Sequence, residues 1–180
     1  MPILGIMASQ ISGHLWAPAG AYDALATVTL SASASSIIFA GIPSGYKHIQ
    51  LRTMCFGSNN QENLYIRFNN DTGSNYARHY LLGDGSSVSA SNTVPDTGGV
   101  FSNTSTASAP YISICDILDF ASSNKNKTLR ALSGRDTNGS GDIALRSSLW
   151  NNTSAITSLN IYAGVGTLSS GTTVALYGVK

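Results

Sequence analysis

Two Asp-Thr-Gly triplets are the first residues in this sequence whose types and spacing could do chemistry. They are Asp71-Thr72-Gly73 and Asp96-Thr97-Gly98. Aspartic proteases use two such triplets, because two neighbouring carboxylates cannot both ionise and one then acts as acid while the other acts as base. Here Asn69-Asn70 and Thr93-Val94-Pro95 precede the triplets in place of apolar strands, and the triplets are too close in sequence to belong to two lobes. We therefore interpret both as turns.

A second candidate is the loop Asp136-Thr137-Asn138-Gly139-Ser140-Gly141-Asp142, which has oxygen ligands at alternating positions, as a calcium loop needs. An EF-hand also needs a glutamate at its twelfth position, where this sequence has Ser147. A tight turn between two strands explains the glycines equally well. His14, His48 and His79 are far apart, and none has a metal-ligating neighbour at the usual spacing. We therefore predict no catalytic residue, no cofactor and no metal, and a protein that is not an enzyme.

Charged and aromatic residues form two further groups. Asp116 and Asp119 end one predicted strand, and we expect them to pair across neighbouring strands with nearby basic residues, namely Lys127, Arg130 and Arg135. Five aromatic residues could form a sugar-stacking surface, although aromatic residues on sandwich strands are more often in the core or at subunit contacts. They are Trp16, Tyr65, Tyr80, Trp150 and Tyr162.

Composition limits the elements that can position these residues. The chain has 180 residues, which suits one domain, but only 11% are charged, Glu occurs once and Lys four times. Glu and Lys cover exposed helix faces, so their scarcity argues against a helical protein. Hydrophobic residues make up 42%, enough for a core, and a net charge of +1 argues against general binding to nucleic acid or to anionic membranes. The uncharged run from Ala24 to Tyr46 is broken by serine, glycine and proline, so it does not predict a transmembrane helix.

Short alternating apolar runs separated by turn residues predict the fold class. They indicate an all-β, antiparallel two-sheet β-sandwich, jelly-roll-like, with an extended N-terminal arm. We expect Cys55, which shares a face with Ile49 and Leu51, and Cys115 to be buried free thiols. The ten predicted strands are Ala26-Leu30, Ser36-Ile42, Lys47-Phe56, Asn63-Phe68, Ala77-Leu82, Tyr111-Leu118, Thr128-Ser133, Asp142-Trp150, Ile156-Ala163 and Thr172-Val179.

Two segments depart from this pattern. Residues 1–18 form a predicted docking arm before a single sandwich domain, residues 19–180, and the start of the arm lacks the positive region of a secretory signal. The arm is too apolar to prefer solvent, so it packs on its own sandwich, on an identical subunit or on a larger assembly. Its predicted docking residues are Ile3, Leu4, Ile6, Met7, Ile11, Leu15 and Trp16. The second segment, Ser86 to Pro110, predicts an exposed loop, with a minor strand near Val100-Phe101.

Several segments, spread in order over nearly the whole chain, resemble the small virion-associated proteins of tailed bacteriophages. They are Pro2-Ile3-Leu4-Gly5-Ile6-Met7-Ala8-Ser9, Gly20-Ala21-Tyr22-Asp23, Pro43-Ser44-Gly45-Tyr46-Lys47-His48-Ile49-Gln50, Tyr65-Ile66-Arg67-Phe68-Asn69-Asn70-Asp71, Asp116-Ile117-Leu118-Asp119-Phe120 and Ala175-Leu176-Tyr177-Gly178. Such proteins are structural, capsid-decorating or tail-fibre components. The resemblance implies no catalytic residue.

What the resemblance implies is a structural virion component, assembled in the host cytoplasm, that docks on the outside of the particle to decorate or cement the capsid. Its partners would be the major capsid protein or tail proteins. The alternatives are a tail or tail-fibre component that contacts the host receptor through the loop Ser86 to Pro110, and a carbohydrate-binding module. With so few lysines to protect strand edges, we also expect a homo-oligomer, a trimer or a dimer.

Overall fold

Strands form in this protein where apolar side chains alternate with polar ones, because successive residues of a strand face opposite sides of a sheet. In Asn63–Phe68, for example, Leu64, Ile66 and Phe68 are fully buried while the residues between them are half-buried. The computed structural model describes residues 20–106 and 108–180, through which twelve strands run. In chain order they are β1 (Tyr22–Thr29), β2 (Ser36–Ala40), β3 (His48–Cys55), β4 (Asn63–Phe68), β5 (Tyr76–Gly83), β6 (Val88–Asp96), β7 (Gly99–Asn103), β8 (Tyr111–Leu118), β9 (Lys127–Asp136), β10 (Gly141–Trp150), β11 (Ser158–Ala163) and β12 (Thr173–Val179).

The strands build two antiparallel sheets around one apolar core, which confirms the predicted fold class. Eight strands form the larger sheet in the order β1-β12-β3-β8-β9-β10-β5-β6, and four form the smaller in the order β2-β11-β4-β7. β7 packs across β8, β9 and β10. The larger sheet extends beyond the smaller one at its β6 edge, where most residues are exposed. The bulkiest core side chains are Phe68, Tyr76, Phe101, Tyr111, Phe120 and Trp150.

The segment from Ser86 to Pro110 is the clearest correction to the sequence prediction. It is not a loop, because it contains the exposed edge strand β6 and the strand β7, which is the minor strand predicted near Val100-Phe101 and is buried at every residue. β7 places Val100 and Phe101 in the core, while Asn103 Oδ1 accepts a hydrogen bond from the buried Arg146. Uncharged polar residues thus mark a buried strand here, because their side chains have partners inside the sandwich.

Other predicted features agree with the structure to different degrees. β1 begins at Tyr22 rather than at Ala26, so the first strand is longer than predicted. Cys55 and Cys115 are buried free thiols, as predicted. Burial raises the pKa of Cys55 to about 12 and also raises the pKa of Cys115, so both stay protonated at neutral pH. The residues that the structure describes include no helix long and apolar enough to cross a membrane.

Candidate interaction surface

Large apolar side chains project into solvent from one side of the eight-stranded sheet. This side, which we call the outer face, points away from the core and the smaller sheet. Ile112 is 60% exposed and Ile143 is 58% exposed, although both lie on internal strands of the sheet. We call the group the apolar patch, and its members are Met54, Leu81, Val88, Ile112, Ile114, Leu132, Ile143 and Leu145. Soluble monomers rarely leave a contiguous apolar surface of this kind uncovered, so the patch is the strongest candidate site.

The strand register arranges the apolar patch in two adjacent rows that cross the sheet from β3 to β6. The first row is Met54, Ile112, Gly134, Ile143, Gly83 and Val88. The second row is Arg52, Ile114, Leu132, Leu145, Leu81 and Ala90. Directly paired residues share a face and lie about 5 Å apart, so each row is continuous. From Ile112 to Val88 in the first row, large side chains alternate with glycine, which gives the surface a profile of ridges and gaps.

A third row, next to the second, is polar and limits the patch on one side. It consists of Gln50, Asp116, Arg130, Ser147, His79 and Asn92. Gln50 Nε2 donates to Asp116 Oδ1 at 2.7 Å, and Arg52 Nε donates to Gln50 Oε1 at 2.9 Å. The Arg52 guanidinium also lies 4.6 Å from the ring centre of Tyr177. Gln50, Asp116 and Arg52 therefore have partners within the chain, whereas the apolar side chains of the patch are exposed.

The apolar patch forms the floor of two shallow clefts. One, of about 890 Å³, lies above Ile112, Leu132 and Ile143, and the β5–β6 and β9–β10 turns contribute to its wall. The other, of about 790 Å³, lies above Leu81 and Leu145. The outer face is therefore concave in places and suited to receiving apolar side chains.

A polar cluster lies on the core side of the sheet, beneath the same end of β8, β9 and β10. The Tyr111 hydroxyl and Gln61 Nε2 both donate to Asp142 Oδ2. Arg135 Nη1 donates to Asn60 Oδ1 at 2.6 Å. Burial and the Asp142 carboxylate raise the pKa of Tyr111 to about 12, so its hydroxyl remains a donor. The cluster joins loops to strands through these bonds.

Arg146 is the most deeply buried charged residue of this cluster, only 6% exposed. Its Nη2 donates to Asn103 Oδ1 at 2.7 Å, and its guanidinium lies 5.7 Å from the Tyr80 ring centre. Burial lowers the pKa of Arg146. Because Asn103 ends β7 and Arg146 lies on β10, the bond ties the two sheets together.

The outer face of the four-stranded sheet carries aromatic rings that are already stacked. Tyr65 and Tyr162 lie with ring centres 5.4 Å apart and planes inclined by 16°. The Arg67 guanidinium lies 4.5 Å from the Tyr162 ring centre, and that of Arg78 lies 5.7 Å from the Tyr65 ring centre. Arg78 Nε is also 3.2 Å from the Asp96 carboxylate. Each ring therefore has a ring and a cation against it, which leaves little room for stacking on a sugar.

The other aromatic residues of the predicted sugar-stacking surface are not part of this stack. Trp150 is 1% exposed and belongs to the core, which is the more common location for an aromatic residue of a sandwich. Tyr80 lies on the core side of β5, beside Arg146. Trp16 lies outside the described residues. A common sugar-stacking surface of these residues is thus wrong, because the strands place them on different faces.

The two Asp-Thr-Gly triplets form connections between strands, and each carboxylate has its own partners. Asp71 accepts hydrogen bonds from Gly73 N at 2.8 Å and from Trp150 Nε1 at 2.7 Å. Burial opposes ionisation of Asp71, but the hydrogen bonds from Trp150, Asn75 and Gly73 lower its pKa overall. Asp96 pairs with Arg78, as described above. Both carboxylates therefore stabilise the fold as bound anions.

The calcium-like loop is the tight turn between β9 and β10. Thr137 Oγ1 donates to the Ser140 carbonyl at 2.7 Å, and Asp136 Oδ1 accepts from Asn138 N at 2.8 Å. Asn138 and Gly139 have φ values of 57° and 122°, the left-handed region that such turns require. Across residues 20–106 and 108–180, no three His, Cys, Asp or Glu side chains converge as a metal site needs.

The predicted ion pairs of Asp116 and Asp119 have different partners in the structure. Asp119 pairs with Lys125 at 2.9 Å. Asp116 is opposite Arg130 in the register but accepts from Gln50. Lys127 is fully buried, and its ammonium donates to the carbonyls of Lys125 and Thr153. Asp119 directly follows β8 and has a φ of 49°, in the left-handed region. The chain turns at this residue, so that Lys125 reaches the Asp119 carboxylate.

Sequence reasoning missed the apolar patch, although β8 carries a signal for it. From Tyr111 to Leu118 the large apolar residues occupy both odd and even positions, so they face both sides of the sheet. Cys115 and Ile117 fill the core side, while Ile112 and Ile114 must face outward. A strand that is apolar on both faces normally has a cover on both faces.

The predicted docking residues of the arm, Ile3, Leu4, Ile6, Met7, Ile11, Leu15 and Trp16, all lie outside the described residues. Their role therefore stays a prediction. The described chain begins at Gly20, directly before β1 at one edge of the larger sheet.

Comparisons with known proteins give no assignment. No protein family model and no curated protein matches the chain. Among solved structures, a crystal structure of a protein of unknown function from Shewanella oneidensis MR-1 is similar over 89% of this chain and 76% of its own, with 11% identity and a TM-score of 0.22. A similarity of that size supports no conclusion about function.

Proposed function

We propose that this protein is a non-enzymatic structural component of a tailed-phage virion, which docks on the outside of the particle to decorate or cement the capsid. The observation that carries the proposal is the apolar patch on the outer face of the larger sheet. Exposed apolar side chains in contiguous rows are typical of a surface that functions against another protein. The resemblance of the sequence to small virion-associated proteins supplies the kind of assembly.

The rest of the molecule suits such a role. Long antiparallel strands with continuous hydrogen bonding make the sandwich stiff, and the deepest polar groups, such as Arg146 and Lys127, tie strands and loops together. The net charge of +1 leaves little long-range repulsion between copies packed side by side. The arm, residues 1–18, is the contact with the particle in this proposal, with the major capsid protein or a tail protein as its partner.

The alternative functions have lost their specific support. A receptor-binding tail component would use a free loop at Ser86 to Pro110, but that segment forms the paired edge strand β6 and the buried strand β7. A carbohydrate-binding module would need free ring faces, but Tyr65 and Tyr162 stack on each other. We therefore favour a position on the capsid.

The test uses virions of a phage that carries this gene with a small epitope tag. Particles with the full chain are compared with particles in which a Gly-Ser segment of equal length replaces residues 1–16. We expect the full chain to remain with gradient-purified particles and the replaced chain to be reduced at least tenfold, since losing about 1.4 kcal/mol of docking energy weakens the binding constant by that factor and purification removes free protein. Equal thermal unfolding of the two chains is the control for folding.

Two results would contradict the proposal in different ways. If the full chain is absent from purified particles, the protein is not a virion component. If the replaced chain is retained in full, the arm is not the anchor. Cryo-electron microscopy of the intact particle then shows whether the protein lies on the capsid or on the tail.

A further inference from the structure

We propose that the outer face of the eight-stranded sheet binds the same face of a second copy of this chain. The dimer has a two-fold axis that runs parallel to the strands, between β9 and β10. This inference rests on the proposed function and deepens it, because it names the partner of the apolar patch and leaves the arm free to bind the particle.

The symmetry follows from how two identical sheets can meet face to face. In the aligned type of packing the strands of the two sheets stay within about 30° of each other, so a two-fold axis in the interface runs nearly along the strands or nearly across them. An axis along the strands reverses the strand order. With the axis between β9 and β10, β9 faces the second copy's β10, β8 faces β5 and β3 faces β6.

The first row is complementary to itself under this operation. Ile143 lies opposite the partner's Gly134, and Ile112 lies opposite the partner's Gly83. Met54 lies opposite the partner's Val88. An axis across the strands and along the first row would place isoleucine on isoleucine and glycine on glycine, and one between the first two rows would place Met54 opposite the partner's Arg52. The axis along the strands keeps the three rows in register and lets the isoleucines of the first row face its glycines, as close packing between two surfaces requires.

The second and third rows also match. In the second row Leu132 lies opposite the partner's Leu145, and Ile114 lies opposite the partner's Leu81. In the polar row the Asp116 carboxylate lies opposite the partner's His79. At the centre of the second row apolar residues therefore meet apolar residues, while Arg52 at its end lies opposite the partner's Ala90. In the polar row a carboxylate meets an imidazole that can donate to it.

The size of the face is sufficient for a dimer. Six strands about 4.8 Å apart and three rows about 6.8 Å apart give a footprint of roughly 29 Å by 20 Å. The relief of the side chains adds to that area, which brings it close to the about 800 Å² that each partner buries in a standard interface. Aliphatic side chains at the centre with a polar row at the margin are the usual anatomy of such an interface.

The test is sedimentation velocity on the full chain and on two variants, Leu132→Lys and Leu145→Glu. Each variant places a charge opposite an apolar residue of the second copy, so we expect each alone to dissociate about a hundredfold more readily than the unchanged chain. In an equimolar mixture, the ammonium introduced at position 132 of one chain lies opposite the carboxylate introduced at position 145 of the other chain. The symmetry-related pair of positions keeps its two leucines. We therefore expect the mixture to form heterodimers.

A glycine pair provides a matched variant and control. Gly83→Val fills a gap of the first row, and the only heavy atom within 4 Å of a Cβ at Gly83 is the Ser87 carbonyl oxygen at 4.0 Å, so the monomer tolerates it. Gly45→Val makes the same change where no atom lies within 4 Å, in the turn before β3. We expect Gly83→Val to weaken the dimer about tenfold and Gly45→Val to leave it unchanged.

Each other outcome overturns the inference. A full chain that sediments as a monomer at about 100 μM, or as a trimer, contradicts the dimer. A dimer that survives Leu132→Lys uses another surface, whether the arm or a strand edge. Dissociation without recovery in the mixture contradicts the two-fold register and indicates that the two copies meet through this face in another arrangement. Presence of the protein on purified particles is measured separately, so the proposed function stands or fails independently.

Discussion

The outer faces of the two sheets differ in whether their large side chains have partners within the chain. On the four-stranded sheet, Tyr65 and Tyr162 stack, with Arg67 and Arg78 against the rings. On the eight-stranded sheet, Leu145 is 56% exposed in the middle of a row of similar residues. Aromatic rings and guanidinium groups on one face of a sheet can cover each other, because rings stack face to face and cations are attracted to ring faces. Aliphatic side chains side by side still expose their tips, so only a second surface can cover them.

Glycine substitutions test this difference most directly, since each sheet has a glycine on its outer face. A Cβ at Gly98 would lie 2.9 Å from the Tyr162 hydroxyl, 3.0 Å from Tyr65 Cδ1 and 3.3 Å from the Ile66 carbonyl oxygen. Gly98→Val must therefore displace the stacked rings, and we expect it to lower the free energy of unfolding by about 2–3 kcal/mol. Urea unfolding followed by tryptophan fluorescence measures the loss.

The matched substitution on the other sheet is Gly83→Val, where the surrounding space is open. Valine also suits a strand better than glycine does, so at low protein concentration we expect a change of no more than about 0.5 kcal/mol, in the stabilising direction. Equal losses for Gly98→Val and Gly83→Val would show that the two outer faces are equally well packed, and the comparison would fail.

The fold class followed from the sequence because alternation determines which side of a strand is buried. Leu64, Ile66 and Phe68 alternate with polar residues and are all fully buried. Alternation does not show what covers the opposite side, which depends on strands far away in sequence. The stack of Tyr65 on Tyr162 joins residues almost a hundred positions apart, and no local pattern predicts it.

The segment from Ser86 to Pro110 shows a second limit of sequence reasoning. Its serine, threonine and asparagine residues predict a loop when each residue is considered alone. In β7 the same residue types are buried, because Ser148 Oγ accepts from Val100 N and Arg146 donates to Asn103. Those partners lie on β10, so the distinction between loop and strand here is set by tertiary hydrogen bonds. For the candidate site, β8 alone gave a usable signal, since Ile112 and Ile114 alternate with core residues.

A polar group with partners inside the chain should likewise contribute to the stability of the single molecule. Asp71 accepts from Trp150, Asn75 and Gly73, and these bonds hold its pKa below the ordinary value. We expect Asp71→Asn to lower the free energy of unfolding at pH 7 by about 1–2 kcal/mol, because the amide nitrogen of asparagine cannot accept a hydrogen bond and the bonds that remain on its oxygen are no longer charge-assisted.

The effect of Asp71→Asn should depend on pH with a definite sign. Because the pKa of Asp71 is lower in the folded state than in the unfolded state, its contribution is complete above the unfolded value of about 3.9 and is lost as the pH falls through the folded value. Urea midpoints for the two proteins should therefore differ at pH 7 and approach each other as the pH falls below about 3.9. A constant difference across that range would mean that the ionised carboxylate is not what matters.

The smallest expected effect concerns Leu145, at the centre of the apolar patch. In the single molecule more than half of its side chain is already exposed, and the rest only contacts neighbours in its row. We therefore expect Leu145→Ser to change the free energy of unfolding by no more than about 0.5 kcal/mol at low concentration. The unchanged chain should become more stable as its concentration rises, because association favours the folded state by mass action, whereas the variant should not. Thermal unfolding over a range of concentrations measures both quantities. A loss of about 1.5 kcal/mol or more at low concentration would mean that Leu145 already has its cover within the chain.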